Sequence, residues 1–137
     1  MKTILVVDNE QESISSLGEI LSRLGYHVIT EQNSRAALSV IKKNAAVDLV
    51  IIEEHLPDMD GLALVASLKA FKPAIPLVMM TTQCSIETYL KAVNLGVLDY
   101  LDKPVSARLM GSVIKVAIYG EPLRSASASS FLDQYLD

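Results

Sequence analysis

Short apolar bursts recur along the chain at regular spacing: "ILVV" at 4–7, "HVIT" at 27–30, "LVII" at 49–52, "PLVMM" at 76–80 and "VLDYL" at 97–101. The first, third and fourth barely alternate with polar residues, the pattern of strands covered on both faces. Helical spacing fills the gaps. Ile14, Leu17, Leu21 and Leu24 make one stripe, stopped by Gly25. Ser34, Ala37, Leu38 and Ile41 make a second, "GLALVASLKA" (61–70) fills the next gap, and Ile86, Tyr89, Leu90 and Val93 make a further stripe before Gly96. Leu109, Val113 and Val116 mark a last helix after Pro104. Five strands alternating with five helices predict an α/β fold, a doubly wound parallel sheet, because crossovers between parallel strands are right-handed. Ligands of such sheets gather at the carboxyl ends of the strands.

The periodicity stops at residue 120. A folded domain over 1–120 is expected, followed by a Ser-rich linker or tail over 121–137, "EPLRSASASSFLDQYLD". At 137 residues, one domain with an adequate aliphatic core is the natural reading. The net charge of -4 offers no footprint for nucleic acid or an anionic membrane. No apolar run reaches membrane-span length, the start is too short for a signal-peptide core, and the single cysteine, Cys84, rules out an internal disulfide. A cytoplasmic location is expected, and Cys84 has no neighbouring base in the sequence to activate it.

Chemistry collects just past the strands. Asp8, Asn9 and Glu10 follow the first; Glu53, Glu54, His55 and Pro57 follow the third; Thr81 and Thr82 follow the fourth; Tyr100 lies on the fifth, with Lys103 and Pro104 after it. Acid, acid, hydroxyl and amine thus converge on one sheet edge. Carboxylates can hold a hard cation such as Mg²⁺, while Lys and Thr can hold phosphoryl oxygens, so the edge reads as a phosphoryl site or its remnant.

With "ILVVDNE", "DLVIIEEHLPDMDG", "PLVMMTT" and "GVLDYLDKP" in this order, the chain resembles the receiver domain of bacterial two-component response regulators over about residues 2–119. The resemblance implies a five-stranded, flavodoxin-like (βα)5 sheet of order 2-1-3-4-5. It implies Mg²⁺ held by an acid pair after the first strand and by a backbone carbonyl, here that of His55. It also implies an aspartate after the third strand that accepts a phosphoryl group from a histidine kinase. Thr81, Tyr100 and Lys103 match the family's phosphoryl-binding and switch positions, Asp8 matches the first acid, and the Lys103–Pro104 bond is expected to be cis.

Two positions depart from that pattern. Pro57 and Gly61 both point back to position 53 as the phosphoacceptor, and it is Glu53; the second acid of the pair is Asn9. Glu53 moves the carboxylate by about 1.5 Å, one C–C bond. A pocket with two carboxylates instead of three should hold Mg²⁺ weakly or not at all. Glu53 also carries charge towards Lys103 and Thr81, which would partly mimic the activated state and draw Tyr100 inward.

The leading expectation is therefore a phosphorylation-independent signalling switch rather than an enzyme, with a histidine kinase or downstream effector as protein partner. A homodimer through the fourth helix, fifth strand and fifth helix is the expected assembly, with Tyr89, Leu98 and Met110 as apolar candidates. "GVLDYLDKP" is most similar to receivers joined to enhancer-binding transcription activators. Two alternatives remain: a receiver phosphorylated on Glu53, and a small phosphatase or hydrolase using Asp58 and Asp60. Plainer roles are also open. Asn9 and Glu12 fit a capping box for the first helix, "DMDG" fits a turn into the third, and Glu54 reads as solvated.

Overall fold

The computed structural model describes residues 1–43 and 46–120; the reading of 121–137 as linker or tail lies outside them. Strands β1 (Thr3–Val7), β2 (His27–Glu31), β3 (Val47–Glu53), β4 (Leu77–Thr81) and β5 (Asp99–Asp102) form one sheet of order β2-β1-β3-β4-β5. All four pairings are parallel. Helices α1 (Gln11–Arg23), α2 (Ser34–Lys43), α3 (Gly61–Phe71), α4 (Ile86–Asn94) and α5 (Ala107–Tyr119) connect and follow them. The expected fold is the observed one. Among the described residues, no helix is long and apolar enough to cross a membrane.

Strand parity sorts the core into two layers. Ile4, Val6, Leu49, Ile51, Val78, Met80 and Leu101 pack with α1 and α5 through Leu17, Leu21, Met110 and Val113. Leu5, Val7, Val50, Ile52, Leu77, Met79 and Tyr100 face α2, α3 and α4. Successive side chains of a strand point to opposite faces, so the same rule carries past the strand ends and assigns each site residue a side. β1 pairs with both β2 and β3, which makes its carboxyl end the point where the strand order reverses.

Four sequence expectations shift. Val97 and Leu98 precede β5 instead of opening it. Leu24 is the C-cap of α1 and is exposed, not part of its buried stripe. On α4 only Tyr89 and Ala92 are buried, whereas Ile86, Leu90 and Val93 are exposed, Leu90 by 59%. The apolar face of α4 is wider than the part of it that the sheet covers. α5 is likewise rotated by about one position, burying Met110, Val113 and Ile114. Tyr89 and Met110 are therefore core residues and leave the list of interface candidates; Leu98 is half-buried.

Gly61 pins the loop that follows β3. Its N–H donates to the Glu54 carbonyl at 2.8 Å. A Cβ there would lie 2.5 Å from the Glu53 carbonyl oxygen and 2.9 Å from Glu54 Cα, both backbone atoms that cannot swing aside. Gly61→Ala should cost about 2 kcal/mol, within the range of overpacking changes. Urea denaturation would show it as a lower midpoint at unchanged slope.

Candidate functional site

The carboxyl ends of β1, β3 and β5 bring Asp8, Glu53 and Lys103 together, all of one strand parity. The Lys103 ammonium donates to Asp8 Oδ2 at 2.6 Å, to Glu53 Oε1, and to Ser13 Oγ at 3.3 Å. The remaining carboxylate oxygens are also engaged: Asp8 Oδ1 accepts from Glu10 N–H at 3.0 Å and Glu53 Oε2 from His55 N–H at 3.0 Å. Burial acts to lower the Lys103 pKa, but the hydrogen bonds and charges of Asp8 and Glu53 outweigh it and hold the ammonium above its ordinary value. Ser13 carried no signal in the residue pattern; the first turn of α1 brings it in. An open cleft of about 320 Å³, lined in part by Asp8, Ser13, Thr82, Lys103 and Pro104, leads to this cluster.

Glu54 lies on the other side of β3. It is buried, contrary to the expectation of a solvated residue, and its Oε1 accepts from the Tyr100 hydroxyl at 2.8 Å. Parity explains the correction: position 54 continues Val50 and Ile52 on the face to which Tyr100 also points. Tyr100 is fully buried and inward, as expected, but its hydroxyl partner is Glu54. Burial, then the Glu54 carboxylate, holds the phenol well above its ordinary pKa. Thr81 is buried at the end of β4, where its Oγ1 accepts from Gln83 N–H at 3.1 Å. Cys84 is pushed up to about 12, by burial first and then by Asp102, which leaves an unreactive thiol.

Other residues settle into structural roles. Asn9 is exposed and does not cap α1; Glu10 is the N-cap, with no side-chain cap bond, so the capping box is not formed. Asp58 reaches across to α2, accepting from Ser34 N–H at 2.9 Å and Arg35 N–H at 3.0 Å, and these bonds hold its carboxyl below the ordinary range. Asp60 caps α3 through Leu62 N–H. The two acids are thus engaged at two different helix N-termini. His55 is exposed, with its ring Nε2 3.9 Å from Glu54 Oε2. The Lys103–Pro104 peptide is cis.

This donor set does not fit Mg²⁺ well. A hard dication needs several free oxygens. Here both buried carboxylates, Asp8 and Glu53, already share one ammonium, and the third position, Asn9, offers only a neutral amide on an exposed side chain. Among the described residues no group of three or more His, Cys, Asp or Glu side chains is arranged to hold a metal ion.

The family model described as "Response regulator receiver domain" matches residues 4–115. The chain is 35% identical over 133 residues to the transcriptional regulatory protein ZraR of Salmonella typhimurium, covering 93% of this chain and 30% of that protein. It thus spans about a third of the length of that relative. Among solved structures, a response regulator receiver domain protein from Clostridium thermocellum superposes with a TM-score of 0.83 at 26% identity, covering 88% of this chain and 96% of that one. The beryllofluoride-activated NtrC4 receiver domain dimer gives a TM-score of 0.83 at 32% identity, covering 88% and 98%.

Proposed function

Because the chain belongs to the response regulator receiver domain family, we propose that it is a two-component receiver whose signalling state is set without phosphorylation. The observation that carries this reading is the Glu53–Lys103–Asp8 cluster. Glu53 bonds directly to the lysine that in relatives holds phosphoryl oxygens, so the chain's own carboxylate supplies negative charge there. A phosphoryl group would bring about -1.5 to -2, roughly twice as much. The inward Tyr100 supports the same reading. On this reading the domain is not an enzyme but a switch read by protein partners, a histidine kinase or a downstream effector. The ZraR relative favours an output in transcription regulation.

The test is intact mass after incubation with a small phosphodonor, with and without Mg²⁺. An unchanged mass in both conditions is the expected result. A mass gain mapped to Glu53 would overturn the reading.

The partner surface is assigned to the exposed apolar face of α4, with Ile86, Leu90 and Val93 at i, i+4 and i+7. Its first proposed occupant is a second copy of the chain, since twofold dimers are the commonest soluble assembly and the NtrC4 receiver is a dimer. Leu90→Glu is expected to shift sedimentation or light scattering from dimer to monomer while leaving thermal stability nearly unchanged. A wild-type monomer at high concentration would remove this part of the proposal.

A further inference from the structure

Glu54 is a buried carboxylate that the phosphoryl-site geometry does not use. It lies across β3 from the Asp8–Glu53–Lys103 cluster, and its Oε1 receives the Tyr100 hydroxyl at 2.8 Å. Ser85 is the N-cap of α4, where its Oγ accepts from Thr88 N–H at 3.1 Å and donates to Thr88 Oγ1 at 3.0 Å. The Tyr100 ring also lies 6.3 Å from the ring of Tyr89, the buried aromatic of α4. One side chain therefore joins the end of β3 to the start of α4 through a single phenol.

We propose that Glu54 is a positioning residue: it holds Tyr100 inward and, through the Tyr89 ring beside it, fixes the first turn of α4 with no phosphoryl group present. A hydrogen bond to an ionised acceptor is about twice as strong as a neutral one, and inside the protein it is not replaced by water. Turning Tyr100 outward would strand a carboxylate in an apolar layer, so the inward state is the one the fold holds. The α4 face is then presented in one arrangement at all times. This deepens the phosphorylation-independent reading and rests on it for the use made of the held state, but the bond itself is tested separately.

The experiment uses ring-labelled tyrosine, whose five sites can be resolved by NMR, together with amide hydrogen exchange. In wild type the Tyr100 ring should give a single inward signal set and a slowly exchanging hydroxyl proton. Glu54→Gln keeps an acceptor oxygen but loses the charge, so its α4 exchange should fall between wild type and Glu54→Leu. Glu54→Leu should move the Tyr100 ring signals and speed exchange at Thr88 and Tyr89 about tenfold, as expected for loss of one charge-assisted bond. Leu5 and Val6 in the interior strand β1 serve as the reference for general loosening and should change little. Tyr100→Phe should give the same α4 effect and carries the test if Glu54→Leu fails to fold. The proposal is overturned if α4 amides accelerate no more than Leu5 and Val6, if Tyr100 signals stay in place in Glu54→Leu, or if Glu54→Gln behaves like Glu54→Leu. Phosphoryl uptake by mass is read independently, so failure of the wider functional reading would appear there and not in these signals.

Discussion

Wild-type protein incubated with a small phosphodonor and Mg²⁺ is expected to keep its unmodified mass, and the Glu53→Asp/Asn9→Asp double variant to gain a phosphoryl group. The Glu53 side chain bonds to Lys103 through one oxygen and to His55 N–H through the other. Attack on a phosphorus centre needs in-line placement and neutralisation of the phosphoryl oxygens. Glu53 fills the approach to Lys103. Aspartate would retract the carboxylate by about 1.5 Å and leave room there. A misplacement of about 1 Å can cost roughly a hundredfold in rate.

Asn9→Asp supplies the other missing element, a third carboxylate for the cation, at an exposed position that tolerates charge. Nucleophile and metal serve one transition state, so their effects should not add. The expected order of labelling is the double variant first, then Glu53→Asp, with Asn9→Asp and wild type near background. Acid-quenched intact mass reads the series. Robust labelling of wild type at Glu53 would establish a phosphorylated receiver in place of the proposed one.

Nearly every strand and the doubly wound parallel sheet were legible because apolar bursts and helical spacing are local signals, whereas the strand order came from the family resemblance. The convergence of Asp8, Glu53 and Lys103 was legible too, since it needs only the rule that parallel strands share a carboxyl edge. What escaped was side-chain direction beyond the strand ends. Glu54 read as solvated because a carboxylate is rarely buried, yet the parity of Val50 and Ile52 was enough to place it beside Tyr100. The α4 stripe misled for the opposite reason. Its apolar residues span more of the helix than the sheet covers, and no local pattern separates a buried face from one that awaits a partner. Asp58 escaped because its partners, Ser34 and Arg35, are set by tertiary packing and not by spacing.

Lys103→Met is expected to be the most destabilising substitution at the site. The ammonium has three N–H donors, and the fold supplies three acceptors: Asp8 Oδ2, Glu53 Oε1 and Ser13 Oγ. Removing it leaves two buried carboxylates side by side with no counter-charge. Breaking a buried ion pair from one side costs about 3 kcal/mol or more, because the remaining charge stays desolvated. The urea midpoint at neutral pH should fall accordingly. Glu53→Gln in the Lys103→Met background should recover part of the loss, since it removes one of the two stranded charges, and the pair should be non-additive. The pH dependence gives a second readout. The Lys103 pKa is raised above its ordinary 10.5 in the folded protein. Its contribution is then fully present below the unfolded value and is lost as pH rises through the folded one. Wild type should lose stability in that alkaline window, and Lys103→Met should lack that component of the loss. Equal urea midpoints for wild type and Lys103→Met at neutral pH would show that the cluster contributes nothing to the fold.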